Sequence, residues 1–273
     1  MDIDKKEAAA LSAIAGYGSA AVAFSGGVDS SYLCALAAEA LGPEALAITV
    51  DSPLMPRSEL EDARRVAGLV GIEHLIIREG PIDEAVAANP PDRCYLCKRI
   101  KMGAMLRVAE GRGIAALLEG SNIDDLADYR PGRVANEELG VRSPLADAGM
   151  TKDDIRELSR RRGLRTWDKP AFACLASRVP YGDRLDAPLL ARIEAAEDYL
   201  RGLGFRQCRV RSHDGSARIE VAPDERRKFF DESTMDGVSC RLKLLGFTFV
   251  SLELEGYSMG SLNRTLGTER TES

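Results

Sequence analysis

The sequence predicts an α/β fold: a doubly wound, mostly parallel sheet followed by a small α+β C-terminal domain. In the first part of the chain, short apolar runs of strand length alternate with segments that have helical apolar spacing. A loop containing Pro170 and Pro180 interrupts this pattern at residues 167–182. Beyond the loop the order changes to helix, hairpin, helix and strand. Strand–helix alternation favours a parallel sheet covered on both faces, and the change of order marks a second unit.

The first part of the chain supplies the elements of the parallel sheet. Segment 57–70 has apolar residues at the i, i+3, i+4 spacing of an amphipathic helix. Thr151 is suited to cap the helix that begins there, because its hydroxyl can accept from a backbone N–H of the first turn. The predicted strands are 20–24, 45–50, 74–78 and 115–119, and the predicted helices are 31–41, 57–70, 94–112 and 151–162.

The second part of the chain predicts a separate small core. Two strand-like runs flank His213-Asp214-Gly215, a turn sequence typical of a hairpin. The predicted elements are a helix at 188–203, strands at 207–212 and 217–221, a helix at 223–245 and a strand at 247–252. We expect one domain over 1–178, a second over 179–266, and a disordered tail over 267–273.

Composition and charge exclude several classes of function. The chain has 273 residues, 45% hydrophobic and 29% charged, with a net charge of −6. An acidic chain is poorly suited to broad nucleic-acid binding, so no nucleic-acid partner is expected. No apolar run has the length of a membrane span, and the N-terminus lacks a signal-peptide core. We therefore expect a cytoplasmic protein whose six cysteines are reduced and need a metal or catalytic explanation.

A glycine-containing loop lies between the first strand and the first predicted helix. It reads Ser25-Gly26-Gly27-Val28-Asp29-Ser30. Glycines let the backbone approach an anion, and a helix start offers unpaired N–H donors, so the loop predicts a phosphate site. The lysine-bearing G-x-x-x-x-G-K-[ST] loop is absent. In the alternative interpretation the glycines only turn a strand–helix connection and Asp29 or Ser30 caps the helix.

Other polar residues also follow predicted strands and should reach the same edge of the sheet. Because carboxyl ends of parallel strands meet at one edge, these residues join the loop there as candidate nucleotide ligands. They are Asp51, Ser52, Gly120, Asn122 and Asp124.

Charged side chains near this edge have two interpretations each. Asp29 is a candidate for orienting the loop or for binding Mg²⁺. Asp124 and Asp125 could share that role, or they could instead form a turn. Arg57 and Lys101 are candidate phosphate partners, or else solvated helix residues.

Three cysteines form the second chemical signal. Cys94 and Cys97 lie in the first turn of a predicted helix with Asp92 as its cap, where the helix dipole favours thiolates. Alone, this pair fits a redox site or half of a zinc site. Cys174 lies in the proline-containing loop, and three thiolates suit a [4Fe–4S] cluster with one open iron. The alternative is that Cys174 is a packed residue, as we expect for Cys34, Cys208 and Cys240.

The S-G-G-x-D-S loop resembles the pyrophosphate loop of the PP-loop ATP pyrophosphatases. That resemblance implies the adenine nucleotide alpha hydrolase-like fold and cleavage of ATP to AMP and pyrophosphate. The chain as a whole resembles the LarE-type sulfur transferases, ATP-dependent enzymes of nickel-pincer nucleotide biosynthesis, and the small second domain also fits. The matching segments are 25–30, 94–98, 120–125 with 128–132, 142–145 and 169–182.

The resemblance implies a substrate and a reaction. ATP adenylates a carboxylate of pyridinium-3,5-biscarboxylic acid mononucleotide, and a sulfur nucleophile displaces AMP to leave a thiocarboxylate; a second round treats the other carboxylate. In single-cysteine members the residue matching Cys174 gives up its own sulfur and becomes dehydroalanine. Because Cys94 and Cys97 are also present, the chain resembles the three-cysteine subgroup. The implied cofactors are ATP, Mg²⁺ and a [4Fe–4S] cluster held by all three cysteines, with the sacrificial route as the alternative.

The resemblance also implies a partner for basic residues of the hairpin. Arg209 and Arg211 alternate onto one face and, with Arg218, are candidate ligands of the substrate phosphate. A salt-bridged surface with Glu220 is the rival interpretation. A homo-hexamer is implied as well, while the sulfide source stays unknown.

Three rival functions fit parts of the sequence. A tRNA-thiolating PP-loop enzyme also pairs the loop with C-x-x-C, but needs a basic surface. An amidating enzyme such as a GMP or NAD synthetase needs no set of three thiols. A nucleotide-sensing or electron-transfer module would bind ATP or a cluster without turnover.

Overall fold

The structure is a computed structural model that describes residues 2–126, 131–170 and 173–258. It divides the chain into two compact units. The first comprises Met1–Gly80 and Pro91–Phe172, and the second comprises Pro81–Pro90 and Ala173–Ser273. The chain thus enters the second unit twice, and no pattern in the sequence indicated the first entry at Pro81–Pro90. The expected tail at 267–273 lies outside the described residues.

The described residues form the following regular elements. The strands are β1 Ala20–Ala23, β2 Ala45–Asp51, β3 Glu73–Arg78, β4 Ala116–Leu118, β5 Cys208–His213, β6 Ser216–Val221 and β7 Phe249–Leu252. The helices are α1 Ile3–Ala15, α2 Val28–Leu41, α3 Arg57–Val70, α4 Glu84–Ala87, α5 Arg93–Gly111, α6 Pro131–Glu138, α7 Pro144–Asp147, α8 Lys152–Arg161, α9 Ala187–Gly202 and α10 Glu232–Leu244. Short 3₁₀ turns lie at Gly42–Glu44, Ile123–Leu126, Leu175–Arg178 and Arg226–Phe230.

The first unit contains a four-stranded parallel sheet in the order β3-β2-β1-β4. Alternate residues of its strands enter two different cores, as period-two side-chain geometry requires. Val22 and Ala47 pack with α1, α2, α3 and α8, whereas Leu46 and Ile48 pack with α5. Helices therefore cover both faces, and the predicted α/β fold class with a parallel sheet is confirmed.

A local signal explains where α8 begins, whereas α1 was not predicted. Thr151 caps α8 in a reciprocal arrangement: its hydroxyl accepts from the backbone N–H of Asp154, whose side chain accepts from the backbone N–H of Thr151. No element was predicted before Ala20, but helix α1 lies in this region and buries Ala10 and Ile14.

The second unit contains a three-stranded mixed sheet in the order β5-β6-β7. The predicted hairpin is present, with Asp214 and Gly215 both at positive φ in the turn, and β7 pairs parallel to β6. One prediction was wrong: the segment 223–245 is not one helix. Asp231 caps α10 by accepting from the backbone N–H of Thr234, and this new start separates α10 from the preceding 3₁₀ turn.

Candidate active site

The loop after β1 is built around a glycine that no other residue could replace without movement. Gly26 has φ +76°, and a Cβ built on it would lie 2.9 Å from the backbone carbonyl oxygen of Glu59 and 2.9 Å from the backbone nitrogen of Ala63. The loop is therefore packed directly on α3. Gly27 precedes the first residue of α2. The unpaired backbone N–H groups at the N-terminus of this helix therefore lie at the loop. This is the geometry of an anion site.

Two serine hydroxyls brace the same loop. The Oγ atoms of Ser25 and Ser30 lie 3.1 Å apart, and the Ser30 hydroxyl also lies 3.3 Å from the backbone nitrogen of Ser25. The backbone N–H of Gly27 donates to Ser25 Oγ over 3.4 Å. The hydroxyls thus hold the loop in shape at the place where the sequence predicted phosphate ligands.

The segment after β4 reaches the first turn of α2. A Cβ on Gly120 would lie 3.0 Å from the backbone nitrogen of Ser30 and 3.2 Å from Cβ of Asp29. Buried Asn122 follows, and its Oδ1 accepts from the backbone N–H groups of Asp124 and Asp125. The two aspartates therefore take part in a local turn, the alternative that the sequence left open.

Within the described part of the chain, Asp29 combines an ion pair with an unpaired carboxylate oxygen. Its Oδ2 lies 2.5 Å from the ammonium of Lys152, whereas its buried Oδ1 has no hydrogen-bond partner among the described residues. Burial raises the pKa of Asp29 although Lys152 lowers it, and the charge of Asp125 adds to the increase. A buried carboxylate oxygen without a donor, beside a second carboxylate, fits a hard cation such as Mg²⁺.

Arg57 and Lys101 both reach the end of β2. Arg57 pairs with Asp51 and donates to the backbone carbonyl of Ser52 over 2.7 Å. The ammonium of Lys101 donates to Ser52 Oγ over 3.0 Å. The structure therefore brings these four predicted residues together at one strand end, where parallel α/β sheets bind their ligands.

Sequence reasoning missed a second lysine beside the loop. Lys169 donates to the backbone carbonyl of Gly26 over 3.2 Å and lies 2.8 Å from Glu59 and 2.7 Å from Asp62. It ties the loop to α3. Because Lys169 stands 143 positions from Gly26, no local pattern could indicate the contact; the only available signal was its place beside the segment that carries Cys174.

The first turn of α5 presents Cys94 and Cys97 on one side of the helix, as predicted. Cys94 is exposed, Cys97 is half-buried, and neither forms a disulfide. Asp92 occupies the cap position, but its side chain makes no capping hydrogen bond, so that detail of the prediction was wrong. The backbone of Asp92 has φ −89° and ψ 10°, not the extended conformation of a capping residue.

The other four cysteines differ in their exposure to solvent. In the second unit, Cys174 is exposed and precedes the 3₁₀ turn Leu175–Arg178, so it is not a packed core residue. Cys34 and Cys208 are buried as predicted; burial raises both pKa values, that of Cys208 to about 12. Cys240 was predicted to be a core residue but is exposed, because α10 turns Val238 and Leu242 inward instead.

The hairpin arginines have partners within the second unit. Arg211 forms a two-point ion pair with buried Glu220, at 3.1 and 2.8 Å, and Arg218 lies 3.3 Å from the same carboxylate. Arg209 donates to the backbone carbonyl of Cys208, and its guanidinium lies 5.1 Å from the centre of the Tyr257 ring. These contacts correspond to the salt-bridged alternative for Arg211 and Arg218, and phosphate binding by Arg209 and Arg211 stays a prediction.

The described residues contain neither a preformed group of metal ligands nor a membrane-spanning helix. Across residues 2–126, 131–170 and 173–258, no three side chains of His, Cys, Asp or Glu form a group able to hold a metal ion. In the same part of the chain, no helix combines the length and the apolar character that crossing a membrane requires.

Comparison with known proteins identifies relatives over nearly the whole chain. A family model described as asparagine synthase matches residues 12–94. The chain is 36% identical over 269 residues to the pyridinium-3,5-bisthiocarboxylic acid mononucleotide synthase of Lactiplantibacillus plantarum, covering 96% of this chain and 95% of that protein. It is 42% identical over 248 residues to an uncharacterised protein of Synechocystis, covering 90% and 92% of the two chains.

A match to a rival function is shorter. A tRNA-specific 2-thiouridylase of Bradyrhizobium is 32% identical over 189 residues, which cover 54% of this chain and 47% of that protein. Similarity over the full length, together with the glycine loop, confirms the resemblance found in the sequence: the chain belongs to the family of the pyridinium-3,5-bisthiocarboxylic acid mononucleotide synthases, the LarE-type members of the PP-loop enzymes.

Proposed function

We propose that this protein is an ATP-dependent sulfur transferase that converts pyridinium-3,5-biscarboxylic acid mononucleotide to its bis-thiocarboxylic form. The observation that carries the proposal is the alignment over 96% of the chain with a relative named for this product. We place the protein in the cytoplasm, because the free cysteines of this chain suit a compartment that keeps thiols reduced.

The loop after β1 would bind the β- and γ-phosphates of ATP. The backbone N–H groups of Gly26, Gly27 and Val28 lie at the start of the 14-residue helix α2, whose positive end favours an anion. Lys101, held at Ser52, and Arg57 would place positive charge beside the nucleotide. Asp29 would hold Mg²⁺ through its buried Oδ1, and the cation would neutralise phosphate charge.

Adenylation solves the problem that a carboxylate is a poor electrophile. A substrate carboxylate oxygen attacks the α-phosphorus of ATP, the bond to the bridging oxygen breaks, and pyrophosphate leaves. A sulfur nucleophile then attacks the acyl carbon and AMP leaves with the electron pair. The family reaction thus needs a thiol source, and the exposed sulfurs of Cys94 and Cys174 are chemically competent for that role.

Cys94, Cys97 and Cys174 would together hold a [4Fe–4S] cluster. Such a cluster, bound by three thiolates, leaves one iron able to carry an additional sulfide. Among the described residues no preformed group of three metal ligands is present. The proposal is supported by the exposure of Cys94 and Cys174, by the half-buried position of Cys97 and by the thiolate ligation that such clusters use. Anaerobic purification tests this: we expect broad visible absorption and bound iron that disappear in Cys174→Ala, while a colourless, iron-free wild-type protein would exclude the cluster.

Sacrificial transfer is the second candidate, favoured by the exposure of the Cys174 thiol. The Cys174 thiolate would attack the acyl carbon and release AMP. Loss of the Cα proton would then break the Cβ–S bond, leaving dehydroalanine in the protein and the sulfur in the thiocarboxylate, as in single-cysteine relatives. Intact mass spectrometry after turnover separates the routes. Loss of one sulfur and two hydrogens from the protein for each thiocarboxylate formed supports this route, and an unchanged protein mass after many turnovers rejects it.

Substrate choice tests the proposed function against its rivals. Pyrophosphate release is measured with the pyridinium dicarboxylate, with xanthosine monophosphate plus ammonia, and with unmodified tRNA. We expect release with the first alone. Release only with tRNA or only with the purine nucleotide would assign the chain to thiouridylation or amidation instead.

A further inference from the structure

Arg178 lies at the centre of the segment that carries Cys174. Its side chain is completely buried, at 0% exposure, although arginine is among the residues least often found inside a protein. One terminal nitrogen, Nη1, donates to the backbone carbonyl of Ala173 over 2.7 Å and to that of Cys174 over 3.0 Å. The same nitrogen donates to Ser177 Oγ over 2.9 Å. Arg178 therefore folds back over the turn that it ends.

The other side of the guanidinium is fixed by Glu197 of α9. Nε and Nη2 of Arg178 donate to the two carboxylate oxygens over 2.8 and 2.9 Å. Glu197 is 1% exposed and also accepts from the backbone N–H of Val210 in β5. Burial alone would raise the pKa of Glu197. The hydrogen bonds and charge of Arg178, together with the charge of Arg209 and the N–H of Val210, outweigh burial and hold this pKa below its ordinary value.

The carbonyl of Cys174 collects three donors. They are the backbone N–H of Ser177 at 3.0 Å, the hydroxyl of Ser177 at 2.9 Å and Nη1 of Arg178 at 3.0 Å. The thiol of the same residue is nevertheless exposed. The backbone of Cys174 is thus anchored through Arg178 to α9, while the sulfur remains accessible.

We propose that Arg178, clamped by Glu197, is a positioning residue that fixes the backbone of Cys174 for sulfur transfer. The inference rests on the proposed function and adds to it a residue that acts through the backbone of Cys174. An arginine is required because its planar fork serves the carboxylate and the carbonyls at once. A lysine ammonium at this position would keep the charge beside Glu197 but could not reach both sets of acceptors.

The test compares Arg178→Lys with the wild-type holoenzyme. Two rates are measured with ATP and the pyridinium dicarboxylate: pyrophosphate release and thiocarboxylate formation. We expect pyrophosphate release within about twofold of wild type, but about 100-fold less thiocarboxylate per pyrophosphate, because small misplacement of a reacting group has this effect. A purely structural residue would lower both rates together, and that result would overturn the proposal.

Two further variants ensure that the test does not depend on Arg178→Lys alone. Glu197→Gln removes the charge that clamps Arg178, and we expect about tenfold less thiocarboxylate per pyrophosphate because the geometry is only loosened. Lys228→Met is the matched control: it breaks an ion pair with Glu225 in the same unit, 2.7 Å long, without contact to the Cys174 segment. Its ratio of products should equal that of the wild type.

A second readout separates failure of this inference from failure of the proposed function. If wild-type protein releases no pyrophosphate with the pyridinium substrate, the proposed function is wrong. The anchoring of Cys174 is then still tested by hydrogen exchange of residues 173–178 without substrate. We expect at least about tenfold faster exchange at Ser177 in Arg178→Lys and Glu197→Gln, and unchanged exchange in both would reject Arg178 as the anchor.

Discussion

The ammonium of Lys152 lies 2.5 Å from Oδ2 of Asp29, although 123 positions separate the two residues in the chain. The contact joins the first residue of α8 to the first turn of α2. The backbone N–H of Lys152 donates in turn to Asp124, so the turn after β4 belongs to the same network. Three segments distant in sequence therefore set the electrostatics of the glycine loop.

Asp29→Asn should make the nucleotide-free protein more stable at neutral pH. Burial raises the pKa of Asp29 above its ordinary value, and the opposing effect of Lys152 is smaller. A carboxyl with a raised pKa stabilises the fold when protonated and loses that contribution as pH rises through the folded-state pKa. The variant should therefore melt above wild type at pH 7, and the difference should shrink as pH falls toward the unfolded-state pKa.

The same variant should lose activity, and a partner substitution should have the opposite effect on stability. Pyrophosphate release should fall by about 100-fold because the neutral amide of the variant cannot supply an anionic oxygen to Mg²⁺. Lys152→Met should lower the melting temperature at pH 7, since it removes a cation beside the partly buried carboxylate of Asp29. A lower melting temperature for Asp29→Asn at pH 7 would contradict this account.

Gly120→Ala should weaken nucleotide binding. The added Cβ would lie 3.0 Å from the backbone nitrogen of Ser30, so the start of α2 has to shift. We expect roughly tenfold weaker ATP binding by calorimetry and a loss of about 1–3 kcal/mol in unfolding free energy. Gly68→Ala is the control: it lies in α3 with no atom within 4 Å of the new Cβ. That substitution should stabilise by about 0.5–1 kcal/mol, and equal effects of the two alanines would refute close packing at Gly120.

Lys169→Met should destabilise the first unit. Its ammonium is the cation beside buried Glu59 and also donates to Gly26. Breaking a buried ion pair on one side costs about 3 kcal/mol, measured by urea unfolding through Trp167, the only tryptophan. Adding Glu59→Gln should recover part of the loss, with a coupling of at least about 1 kcal/mol in the double-mutant cycle. Strict additivity would show that the two side chains do not interact.

Brief alkylation of the native protein should separate the cysteines by burial. Cys94, Cys174 and Cys240 are exposed and should react, whereas buried Cys34 and Cys208 should not, because burial also raises their pKa values. Peptide mass spectrometry measures the pattern. Cys240→Ser should keep full thiocarboxylate formation, while Cys174→Ser should lose it. If Cys34 or Cys208 reacted as fast as Cys240, the burial of these two cysteines would be contradicted.

The parallel sheet and its helices were predictable because hydrophobic periodicity is a local property. Thr151 was recognisable as a cap from its neighbours alone, and the Gly26 loop from its six residues. The break at Asp231 was missed because apolar spacing continues on both sides of it. Local pattern thus predicted the element types well and the boundaries less well.

The candidate site was predicted where its residues follow strands, and missed where long-range cations complete it. Asp51, Ser52 and Gly120 lie at strand ends, so topology alone brings them to one edge. Lys152 and Lys169 reach the loop from more than a hundred positions away. Arg178 looked like one cation among many, since nothing in the sequence shows that Glu197 meets it inside the fold.

The central claim is that adenylation by this protein leads to sulfur transfer. The direct measurement is the ratio of thiocarboxylate formed to pyrophosphate released, using anaerobically prepared protein, ATP, Mg²⁺ and the pyridinium dicarboxylate, with Cys174→Ala as the control. We expect equal amounts of the two products in wild type and no thiocarboxylate in the control. Pyrophosphate without thiocarboxylate in the wild type, or undiminished thiocarboxylate in the control, would contradict the claim.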